Sequence, residues 1–131
     1  MTNAAGAFSF KTYGATFRQS HSIISAQIQA DAIVLTTVGY FNWNDAEYGD
    51  VTSGKIFYEV EYINRTMQIE VYNETTSTSL GSTTHSASGF FSLSFTLPTA
   101  DARLSVRVRK TAGGGTDPNI YGIQMIFNPE T

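Results

Sequence analysis

The chain contains no cysteine, which excludes a disulfide framework, a thiolate metal site and a cysteine nucleophile. Charge is also scarce. Charged residues make up 15% of the 131 residues and the net charge is −3, low for a globular surface. The only basic cluster is Arg103, Arg107, Arg109 and Lys110, too little to track a phosphate backbone, so nucleic acid is not expected as a partner. No run approaches the roughly 20 apolar residues that a membrane-spanning helix needs, so no membrane insertion is expected. The N-terminal stretch lacks both the basic and the apolar regions of a signal peptide. The expectation is a soluble product that would reach the outside of a cell in a particle such as a virion, or by lysis.

The residues of enzymes are equally thin. His21 and His85 are the only histidines, and they are not at metal-ligand spacing. They read as surface groups in loops or at strand ends. No G-x-S-x-G elbow singles out a serine. Gly49–Lys55 fits G-x-x-x-x-G-K, but Ile56 stands where a phosphate loop needs Ser or Thr, and no helix pattern follows. The expectation is a protein that is not an enzyme.

What the chain does have is alternation. Ile56, Tyr58, Val60 and Tyr62 oppose Glu59 and Glu61, and Met67, Ile69 and Val71 oppose Gln68, Glu70 and Tyr72. Phe91, Leu93, Phe95 and Leu97 are separated by Ser92, Ser94 and Thr96, and Leu104, Val106 and Val108 by Ser105 and Arg107. Tyr121, Ile123, Met125 and Phe127 alternate with Gly122 and Gln124. A period of two with aromatic and β-branched residues marks half-buried strands. Further strands are expected at Phe8–Tyr13, Ala15–Arg18 and Ser22–Ala30, with a more fully buried one at Ala32–Tyr40. Turns fall at Asn64–Arg65, Pro98–Asp101 and Gly113–Asn119. Eight or nine short strands without a convincing helix predict an antiparallel, jelly-roll-like β-sandwich. Residues 1–6 read as a flexible N-terminus and 7–131 as one domain, long enough to bury a core without staples.

Two loops are the candidate ligand sites. The segment after the second strand carries Trp43, Asp45, Glu47, Tyr48 and Asp50. Flat aromatics stack on sugar rings, and carboxylates bind hydroxyl pairs, so this composition suits a surface glycan. The same oxygens could take calcium, although the spacing is not that of an EF-hand. Apart from calcium, no cofactor is expected. The alternative is a polar connection in which Trp43 covers one end of the core. Asp117 and Asn119, after three consecutive glycines, form the second candidate loop, either a ligand loop or a long hairpin turn. Glu59 and Glu61 share a strand face, with Glu70 expected across a hairpin from them. Such a row could serve acid–base chemistry if buried, but the expected reading is a solvated outer face with Arg107 or Arg109 nearby as partners. Asn64 and Asn73 begin glycosylation sequons in form but read as turn residues.

Alternation places Phe57, Ile63, Phe90, Ile120 and Ile126 on the faces of their strands away from the core. Five large apolar groups there suggest a second buried surface, and a homo-oligomer is the expected way of covering it.

The order Ser20…Ser22, Ile33–Thr37, Gly54–Val60, Gln68–Tyr72, Ser88–Phe91, Arg103–Val108 and Tyr121–Phe127 resembles the small jelly-roll modules of phage tail, fibre and head-decoration proteins. More remotely, it resembles carbohydrate-binding modules. The resemblance covers about Ala15 to Asn128. It implies a trimeric or otherwise oligomeric virion component that touches host-surface glycans, and it carries over no site residues. A virion accessory or fibre-tip module therefore ranks first among the functions. A carbohydrate-binding module using the Trp43 loop ranks second, and an enzyme last.

Overall fold

In the computed structural model the structure describes residues 19–48, 51–61, 65–113 and 116–127. Eight strands and one helical turn account for most of them: β1 (Gln19–Gln29), β2 (Thr36–Trp43), α1 (Asp45–Tyr48), β3 (Ser53–Glu61), β4 (Arg65–Asn73), β5 (Thr78–His85), β6 (Gly89–Thr96), β7 (Ala102–Gly113) and β8 (Asn119–Phe127). They form two four-stranded sheets, β1-β8-β3-β6 and β2-β7-β4-β5. Every pairing is antiparallel.

The pairs β4·β5, β3·β6, β2·β7 and β1·β8 are nested around the β4–β5 hairpin. That is the order of a chain folded once into a long hairpin and then rolled. The roll adds β3·β8 and β4·β7. The protein is an antiparallel jelly-roll β-sandwich.

The inward residues of the alternating strands close the core. Ile56, Val60, Met67, Ile69, Val71, Leu104, Val106, Ile123, Met125 and Phe127 are all fully buried. Gly54 leaves room for a ring, since a Cβ there would stand 2.6 Å from Cζ of Phe95. This packing role explains the second glycine of the Gly49–Lys55 motif, and Lys55 continues into strand β3 rather than a helix.

Several expectations are corrected. Ile120 is fully buried rather than outward-facing. Gly122, at φ 61°, is an extra residue in β8 between the pairs Tyr58↔Ile123 and Glu59↔Tyr121. One inserted residue flips every side chain that precedes it, so Ile120 turns inward and Tyr121 outward. Ala32–Tyr40 is not one buried strand. β2 begins at Thr36, and Ile33 and Val34 are 66% and 65% exposed in the β1–β2 connection. Glu70 does not face Glu59 and Glu61, because β3 and β4 belong to different sheets. Strand β5, whose sequence is TSLGSTTH, was not expected at all. The expected strands Phe8–Tyr13 and Ala15–Arg18, together with Asp50, Ile63 and Asn64, lie outside the described residues, as does the side chain of Tyr48.

Candidate functional site

The Trp43 segment and the Asp117 segment lie at opposite ends of the sandwich. Trp43 pairs with Ala102 at the start of β7, whereas Asp117 binds Lys110 near its other end. At about 3.3 Å per residue this is on the order of 25 Å along the strand.

Trp43 is 1% exposed. Its Nε1–H donates to the carbonyl of Pro98 at 3.0 Å, and its ring meets Phe127 edge-on with centroids 5.4 Å apart. The ring therefore closes one end of the core and offers no face for stacking, which corrects its assignment as a ligand-stacking residue. The helical turn after it is a capped connection. Asn44 Oδ1 accepts from the amide of Glu47 at 3.1 Å, and Asp101 Oδ1 accepts from the amide of Asp45 at 2.9 Å. Glu47 is exposed.

At the other end Asp117 accepts from Lys110 Nζ at 3.2 Å and lies 3.6 Å from Arg65, so its charge is matched within the fold. Asn119 is buried and its Nδ2 donates to Glu61 Oε1 at 2.9 Å; the hydroxyl of Tyr121 donates to the same oxygen at 2.8 Å. These two donors hold the Glu61 carboxyl below its ordinary range, the Asn119 bond most of all. Among the described residues no three His, Asp or Glu side chains gather where a metal ion could sit. None of the described helices is long and apolar enough to cross a membrane.

The outer faces of the two sheets differ sharply. On β2-β7-β4-β5, polar groups answer one another. Arg107 donates to Glu70 Oε1 through Nε at 2.8 Å and Nη2 at 2.6 Å, and its guanidinium lies 3.6 Å from the Tyr72 ring centroid. Arg109 donates to Gln68 at 2.6 Å and Ser105 to Glu74 at 2.7 Å, and Arg103 stands over Tyr40. Asn73 turns inward at the β4–β5 turn, where its Oδ1 caps the amides of Thr75 and Thr76, so that sequon serves the turn.

On β1-β8-β3-β6, Tyr121 is bonded to Glu61 and Lys55 Nζ stands 5.7 Å from the Phe57 ring centroid, but the large apolar side chains are turned towards solvent. Phe90 is 83% and Phe57 39% exposed, and Ile126 and Tyr121 are half-buried on the same face. Between them lies a depression of about 570 Å³ lined by Ser22, Phe57, Glu59, Phe90, Tyr121 and Gln124, among others. Of the residues expected to face outward, Phe57 and Phe90 line the depression and Ile126 lies on the same face outside it. Glu59, Tyr121 and Gln124 were missed as site residues. Glu59 and Gln124 are polar outward positions of recognised strands, and Tyr121 is hidden by the bulge.

Fold and face together define a jelly-roll sandwich with one outer surface rich in side-chain ion pairs and hydrogen bonds and one that carries Phe57 and Phe90 around a depression. No protein-family model and no curated protein matches the chain. Among solved structures it is similar to a chain of an infectious bursal disease virus particle, with 13% identity, a TM-score of 0.48 and coverage of 84% of this chain and 31% of that one. It is likewise similar to a chain of the Gx strain of infectious bursal disease virus, with 14% identity, a TM-score of 0.48 and coverage of 85% and 33%. A carbohydrate-binding module of Cellvibrio mixtus lichenase 5A, solved with cellotriose, matches at 14% identity and a TM-score of 0.48, over 84% of this chain and 86% of the module. This chain thus spans about a third of the viral chains. At these identities the likeness assigns no role to any residue.

Proposed function

We propose that this chain is a non-catalytic binding and assembly module, of the kind phage-type virions carry as accessory or fibre-tip domains. Its contact surface is the outer face of β1-β8-β3-β6. The contrast between the two outer faces carries this reading. Polar groups on one sheet are largely spent on each other and its exposed Tyr40 lies under Arg103, whereas the other sheet leaves Phe57 and Phe90 facing outward around a depression. Exposed apolar groups clustered about a concavity mark a surface that meets something. Low charge and the rolled topology agree with a particle component.

Co-sedimentation with isolated bacterial envelopes tests it. The chain is expected to pellet with them, to lose that property in Phe57→Ser, and to release no reducing sugar. Turnover of envelope material, or binding indifferent to Phe57→Ser, would refute the proposal.

A homo-oligomer is the second reading. Phe90 favours it, as the most exposed large apolar group among the described residues, on edge strand β6. Light scattering should then show a multimer that Phe90→Ser reduces to a monomer, and a wild-type monomer at high concentration rules it out.

A further inference from the structure

We infer that the depression on the outer face of β1-β8-β3-β6 is a groove for a neutral saccharide chain, seated on Phe57, Tyr121 and Phe90 and read by Glu59, Gln124 and Ser92. The inference rests on the proposal that this face is the working surface, and it names what occupies it.

Strand register sets the pattern. One row across the sheet runs Ser22, Gln124, Phe57, Ser92, and the next runs Gln27, Tyr121, Glu59, Phe90. On the three strands β8, β3 and β6 the rows read polar, aromatic, polar and then aromatic, polar, aromatic. Neighbouring strands lie about 4.8 Å apart and successive same-face residues about 7 Å apart, so each polar group is flanked by rings on both axes. A sugar ring shows C–H faces and hydroxyl edges at similar intervals, and such a chequered surface meets both. At about 570 Å³ the groove falls within the range of formed ligand sites, which are mostly apolar with a few convergent polar groups.

The groups present weigh against an anion, a cation or a second copy of the chain as the occupant of the depression. None of the described residues lining the groove is basic, Lys55 stands beside it over Phe57 rather than in it, and the one ionisable acid of the lining, Glu59, disfavours an anion. A cation fits the carboxylate of Glu59, but Lys55 Nζ already lies 5.7 Å from the Phe57 ring centroid and opposes a second positive charge over that ring. A second copy of the chain would bring an apolar lid over Glu59, which is half-buried in the middle of the face. Among the described residues Glu59 has neither a hydrogen-bond nor an ion-pair partner. Burying an unpaired carboxylate is costly, and interface centres are depleted of charge. An ionised carboxylate only accepts hydrogen bonds, and sugar hydroxyls supply donors without supplying charge. Tyr121 is held ready by its hydrogen bond to Glu61.

The test is an NMR titration of the ¹⁵N-labelled full chain with neutral hexasaccharides (cellohexaose, xylohexaose, mannohexaose and β-1,3-glucohexaose) and, separately, with choline. At least one hexasaccharide should give saturable shifts confined to the central residues of β8, β3 and β6. Phe57→Ala and Glu59→Gln should each weaken binding ~10-fold or more while the melting temperature stays unchanged. Trp43→Phe should leave the dissociation constant unaltered. Absence of saturable shifts with all four sugars, shifts confined to the Trp43 end, or saturation by choline alone each overturns the inference. If the sugars fail while Phe57→Ser still abolishes envelope binding, only the saccharide is wrong. If both fail, the reading of the face goes with it.

Discussion

Tyr58 and His85 join the two sheets side chain to side chain. The Tyr58 hydroxyl and His85 Nε2 are 2.6 Å apart, and the imidazole stacks on Phe91 with centroids 3.9 Å apart. His85 was expected to be an ordinary surface histidine, yet it is half-buried at the end of β5 against β3 and β6. Burial pushes the imidazole pKa down and the phenol pKa up, so both shifts keep the pair neutral.

The pair predicts an acid-side loss of stability. With the folded pKa of His85 below its ordinary 6.5, the unfolded chain takes up the proton first as pH falls. Stability is therefore full above about pH 6.5 and declines towards the lower, folded pKa. Melting temperatures of wild type and His85→Phe between pH 8 and pH 5 should converge as the pH drops. Parallel curves would show that His85 is not the group responsible. Tyr58→Phe should cost about 1 kcal/mol at neutral pH in urea denaturation.

Trp43 gives a second prediction. Trp43→Ala should cost about 3–5 kcal/mol, the range for removing a large buried aromatic. The wild-type indole, enclosed beside Phe127 and Pro98, should resist iodide quenching in native buffer. Ready quenching would mean that the ring is accessible after all.

Gly122 holds the bulge that turns Tyr121 outward. A Cβ there would meet nothing closer than 3.9 Å, the carbonyl of Ile24, so substitution acts through the backbone alone. Gly122→Ala should cost about 1–2 kcal/mol, the penalty for an L-residue in the left-handed region. Gly122→Asn should cost less, since Asn tolerates that region. Equal losses for the two variants, measured in denaturant, would count against backbone conformation as the cause.

Arg107 and Glu70 give a fourth. Glu70 is only 6% exposed, so Arg107→Ala leaves a buried carboxylate without its cation and should cost about 3 kcal/mol. Glu70→Ala should cost less, about 1.5–3 kcal/mol, because the more exposed Arg107 can turn to water and keep its contact with Tyr72. A double-mutant cycle should show coupling between the two. Strict additivity would deny the pair any joint role.

The sequence by itself determined the class of fold and most of the core. Met67, Ile69, Val71, Leu104, Val106, Ile123, Met125 and Phe127 point inward as their alternation requires, because a period of two is a local property of extended backbone. Alternation also identified Phe57 and Phe90 as outward-facing. It failed where one residue carries no such signal. The additional Gly122 reverses Ile120 and Tyr121, and the polar edge strand β5 has too few apolar residues for a period to show.

Tertiary structure alone decided which faces belong together. The long roll separates Trp43 from Asp117 and puts Glu70 on a different sheet from Glu59. It also brings β8, β3 and β6 side by side, so that Gln124, Glu59 and Ser92 interleave with Tyr121, Phe57 and Phe90. These contacts join strands far apart in the chain. Pairing and register between such strands depend on burying two sheet faces at once, which no local pattern records.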